Sequence, residues 1–233
     1  MRTTIIPIGG GGFTRSGNPG PLERYVLEAS GKRTPRVCYV PTASSDPVRG
    51  MRRFLRAFAQ LNCEPSVLDL FDPTRDPDTE SFLTAQDVIW VGGGNTRNML
   101  LLWRAWGVDK ALRAAYERGT VLAGVSAGAL CWFEAGVTDS YPRRLATIKP
   151  LGWLKGSFTP HYDSEPGRRP LFQDLIARGK LPAGYAADDF VALNFGGGRL
   201  REAVSAAPNA CAYRVRATAT GIREQKIPTR RLR

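Results

Sequence analysis

The sequence predicts an α/β fold built on a mostly parallel sheet. Short β-branched apolar runs alternate with amphipathic stretches along most of the 233 residues, giving a βαβα order. Those runs are apolar at successive positions, as strands covered on both faces require. No internal repeat, low-complexity block or long polar linker divides the chain, so one α/β domain over 1–233 is expected, with a basic C-terminal tail from about 221.

Strands are expected at Thr3–Ile8, Arg36–Pro41, Ser66–Leu70, Asp87–Gly92 and Thr120–Gly124, with helices at Pro21–Ser30, Pro47–Leu61, Thr96–Arg104 and Val108–Arg118 between them. Met51, Phe54, Leu55, Phe58 and Leu61 recur at helical spacing and read as one core-facing stripe. A further helix is expected through Leu130 and Trp132. Beyond Gly136 the pattern loosens to a helix at Arg169–Arg178 and short runs at Gly184–Ala187, Phe190–Asn194, Leu200–Ser205 and Ala210–Val215. Such closely spaced runs suit antiparallel strands at one sheet edge, with Asn194–Gly198 as a hairpin turn.

Composition removes several classes of function. Hydrophobic residues make up 42% and charged residues 23%, and no apolar run reaches the roughly 18 to 20 residues of a membrane span. The opening segment, with Pro7 interrupting Ile5–Ile8, is too short for a secretory core, so a cytoplasmic protein is expected. Cys38, Cys63, Cys131 and Cys211 are widely spaced and lack a His partner, which argues for reduced, buried thiols and against a metal site or disulfide framework. The formal charge is +12, and basic residues gather in two places, Arg49 to Arg56 and Arg223 to Arg233. Basic clusters bind nucleic acid in some proteins, but without interleaved aromatics they serve solubility as well, and nucleic acid is disfavoured as a partner.

Gly124-Val125-Ser126-Ala127-Gly128 follows one strand and opens a helix. In that context GxSxG forms a sharp turn that exposes the serine hydroxyl, with the amide of Ala127 and the helix N-terminus facing an oxyanion. The strand Asp87–Gly92 runs into a second bare turn, Gly93, Gly94, Asn95, which offers amides for the same oxyanion. Neither this turn nor Gly9 to Gly12 has the lysine of a P-loop or the spacing of a dinucleotide fingerprint. His161 is the only histidine, and any imidazole chemistry at neutral pH must use it. Spacing leaves the acid that would orient it open among Asp139, Asp163, Asp188 and Asp189.

The segments VGGGNT (91–96), AGVSAGAL (123–130), PHYD (160–163) and GYAADDFVAL (184–193), with PTAS (41–44), resemble in sequence and order the serine peptidase family of aspartyl dipeptidase (peptidase E) and cyanophycinase. The resemblance implies a flavodoxin-like, doubly wound sheet akin to class I glutamine amidotransferases, with helices on both faces. It implies Ser126 as nucleophile, His161 as base, and the amides of Gly94 and Ala127 as the oxyanion hole. Asp189 stands where the family often has a Glu, which shortens its reach, and Asp139 is the competing acid. Arg168 or Arg169, with Asn95, would bind the substrate, the arginine pairing with an N-terminal aspartate. The expected function is hydrolysis of short peptides, chiefly dipeptides with N-terminal Asp, without metal or cofactor. A cyanophycinase-like hydrolase of another amide, or a non-catalytic binding protein on the same scaffold, are the alternatives, and a homo-oligomer is compatible with either.

Overall fold

The computed structural model describes residues 3–72, 74 and 78–233. In chain order it contains β1 (Thr4–Ile8), α1 (Phe13–Ser16), α2 (Pro21–Glu28), β2 (Arg36–Val40), α3 (Pro47–Phe58), β3 (Glu64–Val67), α4 (Thr79–Thr84), β4 (Val88–Val91), α5 (Thr96–Trp106), α6 (Val108–Glu117) and β5 (Val121–Val125). There follow α7 (Ala127–Leu130), β6 (Phe133–Tyr141), β7 (Arg144–Ile148), β8 (Leu154–Thr159), α8 (Arg168–Ala177), β9 (Gly184–Ala187), β10 (Val191–Gly196), β11 (Arg199–Ser205), β12 (Ala212–Thr218), β13 (Gly221–Ile227) and β14 (Thr229–Arg231).

The main sheet has the order β14-β11-β10-β1-β5-β4-β2-β3. From β1 to β3 its strands are parallel, and β10 and β11 add an antiparallel edge through the hairpin at Gly197 and Gly198. Successive residues of the central strands alternate between two cores. Val37, Tyr39, Val88 and Trp90 face α1, α2 and α3, whereas Cys38, Val40, Ile89 and Val91 face α5, α6 and the second sheet. This is a doubly wound α/β sheet, and the period-2 alternation of apolar residues on both faces is what buries it.

A second sheet, β13-β12-β9-β8-β6-β7, packs beside the first and carries α8 on its other side through Phe172, Leu175 and Ile176. It departs from the expectation in three respects. The runs at Gly184–Ala187 and Ala210–Val215 form β9 and β12 of this sheet and not the edge of the main one. The helix expected through Trp132 stops at Leu130, and the aromatic and β-branched residues after it form the nine-residue β6. The basic tail is not a free tail: β13 pairs along the length of β12, and β14 pairs with β11. Its charge sits on edge strands, where outward charges protect open backbone.

Smaller differences have local causes. The strand expected at Ser66–Leu70 lies at Glu64–Val67, because Pro65 is tolerated on the outermost strand of the sheet. In α3, Phe54 and Phe58 are buried but Leu55 is 41% exposed, one helical step off the stripe. Cys38 and Cys131 are buried thiols, whereas Cys63 and Cys211 are only partly covered. No described helix is long and apolar enough to cross a membrane.

Candidate active site

The turn after β5 is built by close backbone approach. A side chain on Gly124 would overlap the carbonyl of Gly128, and one on Gly128 would overlap the carbonyl of Val91. Ser126 between them adopts φ 55° and ψ −111°. Its amide donates to the Ile8 carbonyl at 3.1 Å, and its carbonyl accepts from Ala129 and Leu130 at 3.0 and 2.9 Å. Those bonds hold a left-handed backbone that costs a non-glycine residue on the order of 1 to 3 kcal/mol. Ala127 follows as the first residue of α7 and is buried.

The turn after β4 leans on the same serine. A Cβ on Gly93 would sit 3.2 Å from the Ser126 Cβ, tighter than an ordinary contact, so any side chain here would crowd the serine. Gly94 has φ 135° and leaves no room for a side chain beside the Ala43 carbonyl, to which Asn95 donates at 2.7 Å.

His161 sits just past β8 with φ 51°, its amide bonded to the Gly9 carbonyl at 3.2 Å. Its Nδ1 lies 2.7 Å from Asp189 Oδ1. The second oxygen of Asp189 accepts from Arg15 Nη1 at 2.9 Å, and the Asp189 amide donates to Asp163 Oδ1 at 2.9 Å. The Asp189 side chain is 8% exposed. The hydrogen bond from His161 holds its carboxyl below the usual carboxylate range against the opposing cost of burial, helped by the charge of Arg15. Neighbouring Asp188 behaves oppositely: burial pushes it up to about 6, even though it accepts from the Cys211 amide at 2.8 Å.

Ser126 and His161 open onto one cavity of about 370 Å³, walled by Gly93 and Gly94 on one side and by Arg49 and Arg53 of α3 on another. Among the described residues, no group of three or more His, Cys, Asp or Glu is placed to hold a metal ion.

The remaining expected site residues lie elsewhere. Asp139 projects from β6, 63% exposed, with Arg168 Nη2 4.0 Å away, and the carboxylate that meets His161 is Asp189. Arg168 is buried against Glu165 and the Val137 carbonyl, which occupies its guanidinium inside the protein. Arg169 is bound to Glu224 and lies over the rings of Tyr162 and Tyr213. Asn95 caps α5 by accepting from the Asn98 amide at 2.9 Å, and its Nδ2 donates to the Ser140 carbonyl. None of these four lines the cavity shared by Ser126 and His161; Asn95 and Asp139 line a separate one.

Arg15, Gly10 and Phe190 are the contributors that sequence reasoning missed. A side chain on Gly10 would overlap Asp189 Oδ1 and come within 2.7 Å of the His161 ring. Phe190, at φ 66°, bonds its amide to the Gly10 carbonyl at 2.8 Å. The available signal was the glycine run Gly9 to Gly12, in which Gly10 packs against the His161–Asp189 pair, Gly9 against the Asp188 carbonyl and Gly11 against the Phe190 ring.

Comparison with known proteins places the chain in a family. The model of Peptidase family S51 matches residues 5–203. The chain is 49% identical over 228 residues to the uncharacterized peptidase YgaJ of Bacillus subtilis (strain 168), covering 98% of each chain. Among solved structures, a peptidase from an acI-B1 Actinobacterium superposes with a TM-score of 0.73 over 98% of this chain and 95% of that one. At 16% identity that likeness is one of fold.

Proposed function

The chain belongs to peptidase family S51 and is a serine peptidase, and on that premise we propose that Ser126, His161 and Asp189 form its catalytic triad. The observation that carries the reading is the opening of Ser126 and His161 onto one cavity, with His161 anchored from behind by Asp189 at 2.7 Å.

In the reaction, Ser126 Oγ attacks the scissile carbonyl while His161 accepts the hydroxyl proton. Asp189, ionised at neutral pH, fixes the imidazole through Nδ1 and stabilises the imidazolium that forms. The amides of Gly94 and Ala127 receive the charge on the carbonyl oxygen. His161 then protonates the leaving amine, leaving the acyl group on Ser126. Water, deprotonated by His161, releases the acid and restores the serine. The partly buried serine that lines the cavity, the glycine-lined loop against it and the left-handed backbone at Ser126 support this assignment.

The substrates are short peptides, chiefly dipeptides with N-terminal Asp. A cavity of about 370 Å³ accommodates a ligand of that size. The test is hydrolysis of a panel containing Asp-Leu, Leu-Leu and blocked amino-acid amides by the wild type and by Ser126→Ala. Asp-Leu cleavage that disappears in the variant is expected, and undiminished turnover in Ser126→Ala would refute the mechanism.

A further inference from the structure

The arginine cluster on α3 has no role in the chemistry above, yet part of it faces the cavity of Ser126. Arg49 and Arg53 are four residues apart and share one face of the helix, and both line that cavity. Arg53 is half-buried and oriented, because its Nη1 donates to the Thr14 carbonyl at 2.7 Å. No carboxylate pairs with either guanidinium among the described residues. In this they differ from Arg168 and Arg169, which are bound to Glu165 and Glu224. Asp46 is an acidic residue in the same wall, and one of its oxygens is occupied by capping the Arg49 amide at 3.1 Å.

Tyr39 supplies a third donor. Its ring is 3% exposed and stacks on Phe54 at 5.0 Å. Its hydroxyl reaches the cavity wall between Gly50 and Gly92, where a Cβ would come within 3.1 and 2.5 Å of the oxygen. Among the described residues this hydroxyl has no hydrogen-bond partner. Burial pushes the phenol up to about 12, so it stays protonated and can donate. A hydroxyl at the cavity wall without a protein partner and two guanidinium groups without a counter-charge suit a ligand that only accepts hydrogen bonds and carries negative charge.

We propose that Tyr39, Arg49 and Arg53 form a carboxylate-binding subsite of the Ser126 cavity and so set the preference of the enzyme for peptides bearing a carboxylate beside the scissile bond. The inference rests on Ser126 being the nucleophile. It moves acid recognition from the start of α8 to α3. The carboxylate is either the side chain of the N-terminal residue or the C-terminal group of a dipeptide.

The experiment compares kcat/KM on Asp-Leu, Asn-Leu and Asp-Leu amide for the wild type, Arg49→Gln, Arg53→Gln, the double variant and Tyr39→Phe. Arg56→Gln, one turn further along α3 and outside the cavity, controls for general charge. The wild type is expected to favour one carboxylate over its amide, and the double variant to reduce that ratio by about 10- to 100-fold, the scale of charge-assisted hydrogen bonds. Collapse of the Asp-Leu to Asn-Leu ratio identifies the side chain, and collapse of the Asp-Leu to Asp-Leu amide ratio identifies the C-terminus. An unchanged ratio, or an equal fall in Arg56→Gln, overturns the subsite while leaving the Ser126 mechanism standing. Calorimetric binding of Asp-Leu to Ser126→Ala gives a readout without turnover. It is expected to weaken by the same factor when Arg49→Gln and Arg53→Gln are added. Equal binding, or none to Ser126→Ala, overturns the subsite whatever the turnover shows.

Discussion

Arg15 donates to Asp189 at 2.9 Å on the carboxylate oxygen that His161 does not use. The two residues are 174 positions apart, so the Asp189 carboxylate, in the loop after β9, is tied to α1. Arg15 is 64% exposed and its pairing is screened by water, which limits what it can contribute. Arg15→Gln is therefore expected to lower kcat by up to about fivefold with KM nearly unchanged. Steady-state kinetics on Asp-Leu would show this. A rise in KM at constant kcat would instead place Arg15 on the substrate.

Asp189→Asn should cost far more. Asn cannot carry the charge that stabilises the imidazolium and favours the wrong tautomer of His161, so kcat should fall on the order of 10³- to 10⁴-fold at neutral pH. The folded carboxyl titrates below its ordinary range, so the stability it contributes is present above that range and is lost as pH falls through the folded value. Urea unfolding at neutral and acid pH should show a smaller acid loss in the variant than in the wild type. Equal acid losses would mean that Asp189 contributes no such linkage.

Asp188 gives the opposite sign. Its carboxyl is raised to about 6, so the native state holds the proton where the unfolded chain has lost it. Stability from this group is complete below about pH 4, declines as pH rises to about 6 and stays reduced above. Asp188→Asn keeps an acceptor for the Cys211 amide without the buried charge. Its Tm relative to wild type should therefore be higher at pH 7.5 than at pH 4. The same offset at both values would count against the shift.

Gly10 separates packing at the site from ordinary glycine flexibility. Gly10→Ala drives a methyl into Asp189 Oδ1 and the His161 ring, whereas Gly17, at φ 75° in open space, has nothing within 4 Å of a Cβ. Displacement of the pair by about 1 Å is expected to cost Gly10→Ala at least about 100-fold in kcat. Gly17→Ala should lose only about 1 kcal/mol of stability and keep its turnover. Similar kinetics for both variants would contradict the packing role of Gly10.

The parts of the fold that rest on local pattern were legible in the sequence. The alternating apolar strands of the parallel sheet could be read directly, as could the turns around Ser126 and Gly93, because neighbouring residues determine them. The second sheet could not be read, because the residue pattern of a strand does not reveal which sheet it joins, and β6 begins where the helical pattern after Ser126 was expected to continue. Four aspartates could reach His161 on sequence spacing, and only the tertiary path brings Asp189 to it and leaves Asp139 beside Arg168. Arg168 and Arg169 were attractive substrate ligands because they follow His161 closely, but their carboxylate partners are Glu165, three residues before Arg168, and Glu224, on β13. The arginines at 49 and 53 looked like solvated charge until the fold turned one face of α3 toward the cavity.

The central claim is that Ser126 and His161 act as one catalytic unit. It is tested most directly by comparing kcat for Ser126→Ala, His161→Ala and the double variant on the same peptide. A nucleophile and its base lose function together, so each single variant should lose nearly as much as the double. Losses that multiply, or turnover that persists in Ser126→Ala, would show that the two residues do not share a reaction step.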